Sequence, residues 1–285
     1  MKENKDYKEY TEQRFTGERA LFAQHGVRLS YAIFADGESP LKESSHLELS
    51  HCSFQWKYPL WYCEHVAVED STFATMARAG IWYTNHISLT DCLYEAPKGF
   101  RRVQDLTLCN VDFPHADETL WECSDVKMKN VVANGDYFAM NSSNMQIEDF
   151  RLTGNYSFDG CRDIMVRGAK LLSKDAFWNC ENVTVYDSYI CGEYLGWNSK
   201  NVTFVNCTIE SLQGMCYMQN LKMVNCRLLN TTLAFEYSTV DAEITTVIDS
   251  VKNSSGGVIR AKGIDELIME PERIDVSKTK IILEN

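Results

Sequence analysis

The sequence predicts an all-β protein, a single-stranded, right-handed parallel β-helix of about 11 to 12 coils with 19–21 residues per coil. The first observation is an internal repeat whose copies begin mostly 19 residues apart, and we call the first residue of each copy its anchor. The second is a period of two inside each copy, which is typical of a half-buried strand. One copy is too short to bury its own apolar face, so successive copies must stack. The anchors are His46, His65, His86, Asp105, Asp125, Asn144, Asp163, Asn182, Asn201 and Asn220.

The strand that follows each anchor carries apolar residues one and three positions later, as Val183 and Val185 show after Asn182. A polar residue recurs five positions after the anchor, for example Asp187 and Asn206. Asn and Asp tolerate the left-handed backbone conformation, so both polar columns are predicted to form corners. Crossovers between parallel strands are nearly always right-handed, and the hexapeptide pattern of left-handed helices is absent. We therefore predict a right-handed helix.

The repeat also predicts where the helix begins and ends. Residues 26–248 keep the register and are assigned to the parallel β-helix. Residues 1–25 lie outside it and are predicted to form an N-terminal cap, and residues 249–285 a C-terminal β-like cap. Such caps would cover strand edges that otherwise invite aggregation.

Charge and cysteine content limit the partners and the compartment. The formal net charge is −12, whereas nucleic acids and anionic membrane surfaces attract basic proteins, so neither is expected as a partner. No apolar run approaches the length of a membrane-spanning helix, and the first fifteen residues lack the apolar core of a signal peptide. We therefore expect a cytoplasmic protein. Its 11 cysteines are expected to be free thiols in that reducing compartment.

An ordered set of motifs extends this interpretation. GERALF, FADGESPLKES, WKYPLWYC, ARAGIWYT, GDYFAMN, NYSFDG, SKDAFWNCENVTVYDS, GEYLGWNSKN and TTLAFEYST occur between Gly17 and about Asp241. In order and at full length, they resemble the bacterial domain of unknown function 3737 family. The resemblance implies a single-stranded right-handed β-helix similar to the pectate-lyase-like proteins. It implies no activity and no catalytic residues.

The column four positions before the anchor holds five of the six tryptophans. The column before it is strongly apolar, and neighbouring residues of a strand face opposite sides, so the tryptophans are predicted to face outward. An outward aromatic column edged with amides and acids would suit a carbohydrate chain. The alternative is that a turn buries these rings in the core, since Trp is highly buried on average. The predicted ligand-binding residues are Trp61, Trp82, Trp121, Trp178, Trp197, Tyr137, Tyr156, Tyr194, Asn141, Asn179, Asn198, Glu193 and Arg101.

Three aspartates are candidate catalytic residues. Asp159 lies in the tryptophan column one coil before Trp178, and a carboxylate against apolar surface can serve as a general acid. Asp117 and Asp136 fall eight positions before adjacent anchors and could stack about 5 Å apart, like the carboxylates of a retaining glycosidase. The alternative is that these acids are solvated side chains on a repeat surface. If the protein is an enzyme, a polysaccharide lyase or glycoside hydrolase is expected.

A metal ion and other cofactors are not expected. The histidine anchors His46, His65 and His86 fall in one column, but stacked rings lie parallel about 4.8 Å apart instead of converging on one zinc ion. Two function classes therefore remain open. One is a protein that binds or processes an oligosaccharide, and the other is a non-catalytic scaffold that uses a face or an end of the helix to form oligomers or bind a partner protein.

Overall fold

A computed structural model describes residues 7–284 of the chain. The chain divides into two compact units, Met1–Phe138 and Ala139–Asn285, and each is described by itself. Both units consist of β-strands paired in parallel with the strands of neighbouring coils, which confirms the predicted all-β parallel β-helix. The one helical element among the described residues is a single 3-10 turn at Val276–Lys278, and no described helix is long and apolar enough to cross a bilayer.

In the first unit every coil contributes one long strand, and most coils add a short one. The register follows the sequence repeat, because Val66 lies opposite Leu47 on one side and Ile87 on the other. The side chains in these apolar columns are buried. The strands are β1 Lys8–Thr11, β2 Arg14–Phe15, β3 His25–Ser30, β4 Ile33–Phe34, β5 Ser45–Ser50, β6 Ser53–Phe54, β7 Glu64–Glu69, β8 Thr72–Phe73, β9 Ile81–Trp82, β10 Asn85–Tyr94, β11 Phe100–Arg101, β12 Gln104–Phe113 and β13 Ser124–Asn134.

The second unit repeats the same arrangement. Val183 lies opposite Ile164 and Val202, and all three side chains are buried. The strands are β14 Ser143–Thr153, β15 Arg162–Arg167, β16 Lys170–Leu172, β17 Glu181–Tyr186, β18 Tyr189–Cys191, β19 Lys200–Val205, β20 Thr208–Glu210, β21 Leu221–Leu228, β22 Thr239–Lys252, β23 Gly256–Ile268 and β24 Thr279–Leu283.

The ladder of parallel strands continues into both segments that the sequence assigns to caps. β1 pairs with β3, and β24 pairs with β23, through in-register partners such as Tyr10 with Leu29 and Ile281 with Ile259. Counting one long strand per coil, the described residues form seven coils in the first unit and eight in the second, more than the 11 to 12 predicted. The repeat is hard to see in the last coils, where the sequence lacks the Asn and Asp corner residues. There β22 runs for 14 residues, with a bulge between Ile244 and Val247.

The predicted corners are confirmed by the backbone. The anchors adopt positive φ angles, for example +55° at His65 and +59° at Asn182. Their side chains form ladders along the coils: the Asn201 amide donates to Asn182 Oδ1 at 3.0 Å, and the Asn220 amide donates to Asn201 Oδ1 at 2.9 Å. Each bond joins side chains of adjacent coils, so these asparagines also hold the coils in register.

Nine of the 11 cysteines are buried, Cys109 and Cys191 are half-buried, and all are free thiols, as the sequence predicts. Buried cysteines such as Cys63 take positions that hold Ser or Thr in other coils, where the side chain donates to a main-chain carbonyl of a preceding coil. Cys63 Sγ lies 3.2 Å from the main-chain oxygen of Leu41, and one coil later the Thr84 hydroxyl donates to the main-chain oxygen of Leu60. Burial raises the pKa of Cys63 and of Cys123 to about 12. A thiol with such a pKa is a poor nucleophile and acts here as a packing group.

Candidate functional site

The tryptophan column of the first unit is a continuous stack of rings and one cation. The Trp61 and Trp82 rings stack 5.2 Å apart at an interplanar angle of 7°. The guanidinium of Arg101 then lies between two indoles, 4.5 Å from the Trp82 centroid and 4.6 Å from that of Trp121. Glu118 completes the arrangement, because one carboxylate oxygen lies 3.0 Å from Lys98 Nζ and 3.6 Å from Arg101 Nη2. Glu118 therefore balances one of the two positive charges beside this stack.

In the second unit the same column holds Asp159, Trp178 and Trp197. The two indole rings stack 5.7 Å apart at 12°. Tyr194 meets the edge of Trp197 at 5.3 Å, and Tyr217 lies 5.2 Å from it on the other side. No arginine interrupts this stack, and the acid Asp159 precedes its first tryptophan in the column.

All five predicted tryptophans are half-buried. Their exposure is intermediate between the two alternatives drawn from the sequence, an outward-facing column and rings buried in the core. Each indole N–H donates to a main-chain carbonyl of the following coil, as Trp178 does to Tyr194 at 2.6 Å and Trp121 to Tyr137 at 2.7 Å. The preceding column is buried, so the rings do face outward. Because neighbouring rings cover one another's faces, the exposed part of the stack consists mainly of ring edges.

A polar ladder runs beside the tryptophans of the second unit. The Asn198 amide donates to Asn179 Oδ1 at 2.9 Å, and the Asn179 amide donates to Asp159 Oδ1 at 2.8 Å. Both asparagines are exposed, and each amide group has two N–H bonds and an oxygen, so each keeps hydrogen-bonding capacity for a ligand. Asn141 belongs to the same column, where Gly160 follows it. A Cβ at Gly160 would clash with Asn141 Oδ1, so the packing explains this glycine.

Asp117 and Asp136 are joined through the backbone. The Asp136 N–H donates to Asp117 Oδ1 at 2.9 Å. The same contact recurs in the second unit at this column, where the Lys174 N–H donates to Asn155 Oδ1 at 3.3 Å. A neutral amide in the equivalent place makes the same bond, so this contact of Asp117 stabilises the turn of the next coil. The roles of Asp117 and Asp136 in catalysis stay a prediction.

A buried acid that the repeat pattern does not reveal lies one coil after Asp159. The Asp175 side chain is only 3% exposed, and its Oδ1 has no hydrogen-bond partner. Burial raises the pKa of Asp175; Lys174 opposes this shift, and the negative charges of Glu193 and Asp159 add to it. Two carboxyl groups with different environments at one place are a common basis for acid–base chemistry.

The predicted residues Tyr194 and Glu193 complete this neighbourhood. Lys174 Nζ lies 3.5 Å from a Glu193 carboxylate oxygen and 5.3 Å from the centre of the Tyr194 ring. Asp175 lies in the column seven positions before the anchor, which holds Tyr156 one coil earlier and Tyr194 one coil later, and the first unit's Tyr137 belongs to the same column. We define the acid–aromatic strip as Asp159, Asp175, Trp178, Asn179, Trp197 and Asn198.

The sequence matches a protein family described as protein of unknown function (DUF3737) over residues 8–282. The chain belongs to this family. Among curated proteins none matches it.

Two solved structures are similar in part. A surface adhesin of Streptococcus pneumoniae, PfbA, is 10% identical with a TM-score of 0.41, over 92% of this chain and 81% of that one. The A-module of the Azotobacter vinelandii mannuronan C-5 epimerase AlgE4 is 11% identical with a TM-score of 0.29, over 98% of this chain and 88% of that one. At such low identities and scores these likenesses leave the function to be argued from the site.

Proposed function

We propose that this DUF3737 protein binds an oligosaccharide along the acid–aromatic strip of its second unit. The observation that carries the proposal is the side-by-side arrangement of the stacked Trp178 and Trp197 rings with the exposed amide ladder of Asn179 and Asn198. Partly exposed indole rings provide apolar surface for the C–H groups of a sugar, and amide groups suit its hydroxyls. Adjacent coils repeat both features, as a chain of sugar units would require.

The acid pair supports a processing role for the same strip. Glycosidic bond cleavage uses one protonated and one charged carboxyl group. Burial raises the pKa of Asp175, as suits a proton-holding group, and Asp159 lies one coil earlier, where its Oδ1 accepts from the Asn179 amide at 2.8 Å. We assign Asp159 to contact the sugar and Asp175 to hold the proton.

Binding can be tested with a glycan array followed by titration calorimetry of each hit. Trp178→Ala should weaken binding at least tenfold, because it removes the ring that lies beside both acids. Trp178→Ala should also lower the free energy of unfolding by about 2–3 kcal/mol, since a hydrogen bond and a ring stack are lost. Trp82→Ala in the first unit is the matched control, because it removes an equally half-buried, stacked and hydrogen-bonded indole.

The two variants separate binding from folding. The proposal requires that Trp82→Ala lose similar stability and keep full affinity, and that Asp175→Asn keep binding but abolish any turnover. If the wild type binds no glycan, or if both tryptophan variants lose affinity in proportion to their stability, the strip is structural and the scaffold alternative stands.

A further inference from the structure

A row of histidines follows one corner of the first unit. His25, His46, His65 and His86 lie in successive coils, with ring centroids 4.7, 4.8 and 4.7 Å apart. The spacing agrees with the ladder predicted from the sequence. Two stacked imidazoles alone do not make a zinc site, because their nitrogens do not converge.

Glu64 changes this arrangement, since it adds a donor from outside the histidine column. It begins strand β7 and lies opposite Asn85 in the ladder. The ligand atoms of Glu64, His65 and His86 all lie within 4.8 Å of one another. His65 and His86 are exposed and Glu64 is half-buried, so a solvated ion can reach all three.

Asp105 and Asn85 orient these donors through hydrogen bonds. His86 Nδ1 lies 2.8 Å from Asp105 Oδ2, and a carboxylate only accepts, so Nδ1 donates and the lone pair of the neutral ring lies on Nε2. The Asn85 amide donates to Glu64 Oε1 at 2.9 Å, which leaves the second carboxylate oxygen for a ligand. Metal-binding histidines usually donate their other ring N–H to a carboxylate in this way.

We propose that Glu64, His65 and His86 bind a zinc ion on the surface of the first unit. Two imidazoles and one carboxylate, with water in the fourth position, form a donor set that zinc accepts. Imidazole donors favour zinc over calcium and magnesium, which take oxygen ligands. Ligand atoms on a tetrahedral zinc ion are about 3.4 Å apart, so the exposed His65 and His86 rings must turn out of their parallel stack to direct their nitrogens at the metal. The site is independent of the proposed oligosaccharide strip.

Zinc binding to the intact chain can be measured by titration calorimetry, and the ligand type by the absorption spectrum of the Co²⁺ form. The expected result is one equivalent of zinc and a tetrahedral Co²⁺ spectrum without a sulfur charge-transfer band. His65→Ala and His86→Ala should weaken zinc binding by at least tenfold, and Glu64→Gln should do the same. Asp105→Asn should weaken it by about 10-fold through loss of the orienting bond.

His115→Ala is the matched control, because it removes an exposed histidine of the same unit away from the ladder. Thermal melts check that every variant is folded. Failure of the wild type to bind zinc at millimolar free metal would overturn the proposal. So would a sulfur charge-transfer band, or equal affinity losses for His115→Ala and His86→Ala.

Discussion

The two units place different charges at equivalent positions of the same repeat. In the first unit Arg101 occupies the tryptophan column and forms an ion pair with Glu118 of the next coil. Arg101 Nη2 lies 3.6 Å from Glu118 Oε2. In the second unit the corresponding residues are Asp159 and Asp175, so an ion pair is replaced by two acids. Glu118 has two cationic neighbours, whereas Asp175 is buried with an unpartnered oxygen and a raised pKa.

This difference distinguishes the proposed binding strip from the tryptophan stack of the first unit. Both tryptophan stacks are held by the same indole-to-carbonyl bonds, and both lie outside a buried apolar column. The first stack holds the Arg101 guanidinium between two indoles and near Glu118, and the buried Arg101 Nε has no hydrogen-bond partner. The second contains the buried acid Asp175, whose raised pKa and unpartnered oxygen are unfavourable for stability, and groups of this kind are concentrated at functional sites.

The largest expected effect is the loss of stability when the Arg101 cation is removed from the first unit's tryptophan stack. Arg101→Ala removes two cation–π contacts and an ion pair, and should lower the free energy of unfolding by about 2–3 kcal/mol. The equivalent change Asp159→Ala removes one exposed hydrogen bond and a like charge, and should cost under about 1 kcal/mol. Denaturant unfolding of both variants measures the difference. Equal losses would show that the two positions are energetically alike.

A smaller, pH-dependent effect is expected at Asp175. An acid whose pKa is raised by folding holds its proton more tightly in the folded chain, so its contribution to stability is lost as pH rises from 3.8 towards the raised value. Asn does not titrate. Asp175→Asn should therefore gain stability relative to the wild type as pH rises through this range, and keep a constant advantage above it.

Unfolding curves at a series of pH values test this expectation. Asp117→Asn is the control, because its oxygen caps the backbone of the next coil and an amide oxygen can replace it. If the difference in free energy of unfolding between the wild type and Asp175→Asn does not change with pH, the assignment of Asp175 as the group that keeps its proton is contradicted.

Much of the fold followed from periodicity alone. Every coil repeats the same requirement for apolar residues inside and for residues that tolerate left-handed backbone at the corners, so anchors such as Asn182 and Asn201 could be read directly. The terminal coils could not be predicted, because β1 and β24 keep the main-chain ladder without the Asn, Asp or His anchors that mark most of the other coils.

The candidate site was predictable only in part, for a related reason. A repeat pattern identifies columns, and Trp178, Asn179 and Asp159 were found because they define or interrupt one. Asp175 replaces a tyrosine in a column of mixed composition, and its importance lies in a buried oxygen that no spacing indicates. Glu64 was missed likewise, because it joins His65 and His86 from outside their column.

The most direct test of the account is a carboxyl-carbon NMR titration of Asp175 in the wild type and in Asp159→Arg. That substitution gives the second unit the charge arrangement of the first. The account predicts a pKa for Asp175 above 3.8 in the wild type, and a lower pKa once arginine occupies position 159. A wild-type pKa at or below 3.8, or a pKa that Asp159→Arg leaves unchanged, would contradict the claim that these two acids form one electrostatic unit.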